Sequence, residues 1–299
     1  QCRFDMSCSH GRHDTRGDRQ VAERIGATGP TSSEADGPGS ITGVSHDVLH
    51  VHRYGPQTPA ELLLVHGLTG HGQRWQTLAS QLPGVSILAP DLLGHGRSSW
   101  AAPWTLDANV EALAALLDGS ALVVGHSFGG AVALKLAAAH PDLVSGLVLL
   151  DPAVGLDGEW MREIADNMMA SPDYPDAEEA RAEKVHGSWG EVDAAELDRE
   201  LGEHLIALPN GRYGWRISIP AMMAYWSELA RPVALPRTGT PTTLVRATKT
   251  SPPYARDVLI DALADHLGPD FTLLDWDCNH MVAQARPADT AALIRERLG

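Results

Sequence analysis

One stretch does most to limit what this chain can become: GHSFGG at residues 125–130. The apolar run ALVV leads into it and the alanine-rich AVALKLAAA leads out, so the local pattern is strand, sharp turn, helix. A Gly-x-Ser-x-Gly turn forces its serine into a strained backbone conformation, and small residues at Gly125 and Gly129 let strand and helix pass closely enough to hold it there. The hydroxyl of Ser127 then stands at the tip of a sheet. The pentapeptide alone is equally compatible with a plain glycine-rich turn; the flanking strand and helix favour a nucleophile.

A buried strand of this kind needs parallel neighbours, and the chain supplies them. VLHVHRYG, ELLLVHG, VSILAPD, VSGLVLLDPAV, TPTTLVRATKT and FTLLDWD read as strands. Between them QRWQTLASQLPG, TLDANVEALAALLDG, ARDVLIDALADHLG and PADTAALIRERL have helical spacing. Strands alternating with helices predict an α/β fold, a mostly parallel sheet covered on both faces. The alternation stops over residues 155–236, where DGEWMREIADNMMA, DAEEARAEKVHGSW and DAAELDRELGEHLIAL read as helices and no strand is expected. The expected organisation is therefore a disordered extension over 1–40, a core formed by 41–154 and 237–299, and a helical cap inserted at 155–236.

Charge narrows the partners. The formal net charge of -15 argues against a phosphate backbone as substrate. Residues 157–203 carry 15 acidic against four basic side chains, so the outer face of the insertion is solvated. Its apolar side chains include Trp160, Met161, Met222 and Trp226, which are expected to line a substrate pocket beneath the cap, most others packing it to the core. No apolar run approaches the ~18 residues of a membrane span, and the N-terminal sequence lacks the apolar core of a secretion signal, so a cytoplasmic location is expected. Cys2, Cys8 and Cys278 form no disulfide framework and no metal-ligand spacing; Cys278 is expected to be a buried thiol, and no metal is expected.

A serine hydroxyl becomes a useful nucleophile only when a base takes its proton and a third group orients that base. His280 follows the last strand and precedes the turn into the final helix, which places it above the carboxyl edge of the sheet. His66, His71, His95 and His126 lie in glycine-rich turns near the same edge and are expected to shape those turns.

The chain resembles the α/β-hydrolase superfamily from about residue 41 to its end, through four motifs in order: HGLTG at 66–70, DLLGHGRSS at 91–99, GHSFGG, and NHMV at 279–282. The resemblance implies an oxyanion hole made by the backbone N–H groups of Leu68 and Phe128. It also exposes a departure: the usual place of the triad acid, after TPTTLVRA, holds Thr250, which cannot compensate an imidazolium. Some lineages carry the acid at the end of the strand after the nucleophile helix, where this chain has Asp151; Asp257 is the competing carboxylate. The expected activity is hydrolysis of small to medium apolar carboxylic esters through an acyl-enzyme formed on Ser127, without a cofactor. The same triad serves lactones, carbon–carbon bond hydrolysis or acyl transfer, and a catalytically inert ligand-binding protein is the remaining alternative. The expected partner is a small-molecule ester, with a homodimer left open.

Overall fold

The computed structural model describes residues 49–56 and 59–299, so the expected extension over 1–40 lies outside the described residues. The first half supplies β1 (Val51–Tyr54), β2 (Leu62–Val65), α1 (Gln76–Ser80), β3 (Ile87–Pro90), α2 (Leu106–Ala114), β4 (Ala121–His126), α3 (Phe128–Ala139) and β5 (Val144–Leu150). After the insertion come β8 (Thr242–Ala247), α8 (Asp257–Leu267), β9 (Phe271–Trp276), α9 (Val282–Ala285) and α10 (Pro287–Leu298). The seven strands run in the order β1-β3-β2-β4-β5-β8-β9. Only β1 is antiparallel to its neighbour.

The period-2 alternation of strand side chains divides the core into two layers. Leu63, Val65, Val123, Leu147 and Leu149 face α2, α3 and α8. Leu62, Leu64, Leu122, Val124, Val148 and Leu150 face α1, α9 and α10. Both faces are covered, which is why the central strands read as unbroken apolar runs.

The insertion between β5 and β8 holds α4 (Gly158–Ala170), α5 (Ala177–His186), α6 (Ala194–His204) and α7 (Ile219–Leu229). Three of its aspartates are helix N-caps: Asp157, Asp176 and Asp193 accept from the N–H groups of Trp160, Glu179 and Ala195. One expectation is corrected here. The insertion also contains an antiparallel hairpin, β6 (Leu205–Ala207) with β7 (Tyr213–Trp215). The leucine spacing that continues past His204 suggests a longer helix, but PNG at 209–211 turns the chain back, with Gly211 at φ 80, and pairing to β7 takes over.

Candidate active site

Ser127 sits between β4 and α3 at φ 54, ψ -121, a left-handed conformation that a non-glycine residue adopts only under constraint. The constraint is visible in its neighbours. A Cβ on Gly129 would stand 2.2 Å from the Val65 carbonyl oxygen, and one on Gly125 2.4 Å from that of Gly129. The backbone is pinned as well: Ser127 N–H donates to Leu150 O at 3.1 Å, and Ser127 O accepts from Ala153 N–H at 3.0 Å.

His280 lies in the loop between β9 and α9, and its Nδ1 is 2.6 Å from Asp151 Oδ2. Asp151 directly follows β5 at φ 44, its side chain fully buried. Its other oxygen accepts from the Ala247 N–H at 3.3 Å. With Nδ1–H donated to the carboxylate, the His280 Nε2 is left unprotonated and able to accept a proton. Ser127 and His280 both line one cavity of about 60 Å³. Asp257, the competing carboxylate, is exposed and pairs with Arg246 at 3.0 Å. The Thr250 hydroxyl is buried with no hydrogen-bond partner among the described residues.

The Phe128 N–H is the first of α3, where a helix leaves its N–H groups without intrahelical acceptors. Among the described residues neither it nor the Leu68 N–H has an acceptor within the protein. The loop carrying Leu68 is braced by His66, whose Nδ1–H donates to Gly67 O at 2.8 Å while Nε2 accepts from Leu92 N–H at 2.9 Å. Burial keeps both His66 and His95 neutral, pushing the latter down to about 4. His126, neutral for the same reason, donates Nε2–H to the His280 carbonyl at 2.8 Å and so ties the turn at Ser127 to the loop that carries His280. Cys278 is 1% exposed, and burial pushes its thiol up to about 11, which makes it a packing residue.

Of the four expected pocket residues, Trp226 lines the cavity. Trp160 does not; it stacks on Tyr254, whose ring centroid is 4.1 Å from that of His280. Met161 and Met222 are buried in the core where α4 packs on α7, and neither reaches the cavity. The walls come instead from Tyr174, Trp189, Trp215, Tyr254 and Met281, with Arg74 and Lys184. Trp189 and Trp215 stand in the aromatic-rich insertion, but only the docking of that insertion decides which of its rings turn inward. Tyr254 has no such signal in the sequence.

That docking is electrostatic at its centre. Glu200 on α6 is buried and receives Arg74 Nη2 at 2.5 Å, His71 Nε2 at 2.9 Å and Lys184 Nζ at 2.9 Å. Arg74 and His71 belong to the segment between β2 and α1, so this cluster clamps the insertion to the core. Burial alone would push the Glu200 carboxyl up; Arg74, Lys184 and His71 outweigh it and hold the carboxyl well below its usual range. A depressed folded-state value means stabilisation that is full above the unfolded pKa and lost as pH falls through the folded one. Glu200→Ala removes the buried carboxylate that compensates the Arg74 and Lys184 charges, and urea unfolding at neutral pH should register a loss of about 3–5 kcal/mol. The difference from wild type should shrink in acid.

The alpha/beta hydrolase family model matches residues 62–293. The chain is 65% identical over 255 residues to Lipase LipV of Mycobacterium tuberculosis, spanning 84% of this chain and 98% of that protein. Among solved structures, E-2-(acetamidomethylene)succinate hydrolase superposes with a TM-score of 0.71 at 21% identity, covering 84% of this chain and 94% of that one, a likeness of fold. The esterase Rv0045c from M. tuberculosis superposes with a TM-score of 0.62 at 25% identity, covering 85% and 89%.

Proposed function

This chain belongs to the alpha/beta hydrolase family and is a carboxylic ester hydrolase, and we propose that Ser127, His280 and Asp151 are its catalytic triad. The observation that carries this reading is the 2.6 Å contact between His280 Nδ1 and a fully buried Asp151, above the cavity that Ser127 shares. Ser127 Oγ attacks the ester carbonyl while His280 Nε2 takes its proton, and Asp151 stabilises the imidazolium without itself being protonated. Charge developing on the carbonyl oxygen is met by the N–H groups of Leu68 and Phe128, donors whose individual loss typically costs about 10²- to 10³-fold in rate. His280 then protonates the leaving alkoxide, leaving an acyl group on Ser127. A water, deprotonated by the same Nε2, attacks the acyl-enzyme and releases the acid. Each proton that His280 takes up is returned within its half-reaction.

The insertion over residues 155–236 acts as a cap that sets the acyl site. A cavity of about 60 Å³ walled by tryptophan and tyrosine rings together with Arg74, Glu183 and Lys184 suits a short acyl group, because longer chains must displace the clamped cap. The protein works on a small-molecule ester. No described helix is long and apolar enough to cross a membrane, and a cytoplasmic location fits the acidic chain. The test is a p-nitrophenyl ester series from acetate to palmitate. Turnover is expected to be highest among the short and medium esters and lowest for palmitate; uniform or rising turnover to palmitate would refute the acyl-site reading.

A further inference from the structure

A second cluster of ligand-type side chains lies outside the Ser127 cavity, at the sheet edge formed by β1 and β3. His50 and His52 stand two residues apart and so share a face of the extended chain. Their ring centroids are 4.7 Å apart at 83°. The antiparallel pairing of β1 with β3, continued by Asp91 N–H donating to His50 O at 2.8 Å, brings the Asp91 carboxylate beneath them. One ligand atom from each of the three residues lies within 4.8 Å of the others. None of the three lines the cavity that holds Ser127.

We propose that His50, His52 and Asp91 bind a divalent transition-metal ion with the ligand preferences of zinc. Two imidazoles and one carboxylate suit a borderline ion and not Mg²⁺ or Ca²⁺, which favour sets of oxygens. The carboxylate is oriented in advance: Asp91 Oδ1 accepts from Gly72 N–H at 2.6 Å and Oδ2 from Arg97 N–H at 2.8 Å. Such outer partners fix a ligand's direction while leaving each oxygen a further lone pair. His52 Nε2 is 3.6 Å from Asp91 Oδ1, too far for a hydrogen bond, and is buried without a hydrogen-bond partner among the described residues. A cation shared between the two atoms gives His52 Nε2 the partner it lacks. The nearby Arg97 guanidinium is drawn away by Glu203. Both histidines are partly exposed, which leaves the fourth coordination position to water. The His50-x-His52 pair is visible along the chain, but Asp91 joins it only when β1 pairs with β3.

The test uses the untagged full chain, stripped with a chelator and titrated calorimetrically with Zn²⁺, with the visible absorption of Co²⁺ as a second readout. Wild type should bind one Zn²⁺ saturably. His50→Ala should weaken that site at least about 100-fold, the His50→Ala/His52→Ala double variant should abolish it and the Co²⁺ spectrum with it, and basal ester turnover should stay unchanged. His186→Ala, at an exposed histidine on α5, should leave binding as in wild type. A wild type with no saturable site, or a double variant that keeps the wild-type affinity and stoichiometry, overturns the proposal.

Discussion

Asp151→Asn should lower kcat on a p-nitrophenyl ester on the order of 10⁴-fold, with little change in KM. The size follows from the tautomer. In the proposed triad Asp151 Oδ2, 2.6 Å from Nδ1, fixes the His280 proton there, which keeps Nε2 free to accept from Ser127. An asparagine can turn its amide N–H₂ toward Nδ1, which moves the imidazole proton to Nε2 and removes the base. The substitution is nearly isosteric and the site is fully buried, so a thermal unfolding measurement beside the kinetics separates a catalytic loss from a structural one. Asp257→Asn should leave turnover as in wild type, since Asp257 is held by Arg246 at the surface. Loss of activity in that variant with retention in Asp151→Asn would reverse the assignment.

Ser127→Ala should be the more damaging change, roughly 10⁴- to 10⁶-fold in kcat, leaving only what the oxyanion donors and substrate binding supply. Alanine is an L-residue with a smaller side chain, so the φ of 54 is no harder to hold, and the glycines that enforce it are untouched. Stability should therefore stay within about 0.5–1 kcal/mol of wild type. Steady-state kinetics on purified protein, with the melting temperature beside them, reads both outcomes. Turnover that survives in Ser127→Ala would exclude an acyl-enzyme on this serine.

The sequence is most legible where the cause is local. The turn that carries Ser127 announces itself because Gly125, Ser127 and Gly129 answer a steric demand made within five residues, and the two-faced core follows from strands that are apolar without alternation. Asp151 is different. Its contact with His280 spans 129 residues and depends on β5 pairing with β8, whose Val245 carbonyl accepts the Asp151 N–H at 2.7 Å. Two signals favour Asp151 over Asp257: the resemblance to lineages with a displaced acid, and the cost of burying a carboxylate at the end of an apolar strand without a partner. The pocket walls were the least legible. Met161, Met222 and Trp226 share the apolar character expected of a lining, but the packing of α4 on α7 takes the methionines inward and only Trp226 reaches the cavity. The clamp around Glu200 was hidden for a related reason. In a stretch with 15 acidic side chains, nothing local marks the one that the fold buries against Arg74.

The most direct test of the triad is to map the adduct formed by a fluorophosphonate. Intact-mass and peptide analysis of the wild type should find one phosphonyl group, on Ser127. Labelling should be absent in Ser127→Ala and slowed by orders of magnitude in His280→Ala, whose serine remains but has no base. A wild type that resists the reagent, or an adduct carried by any residue other than Ser127, would contradict the account.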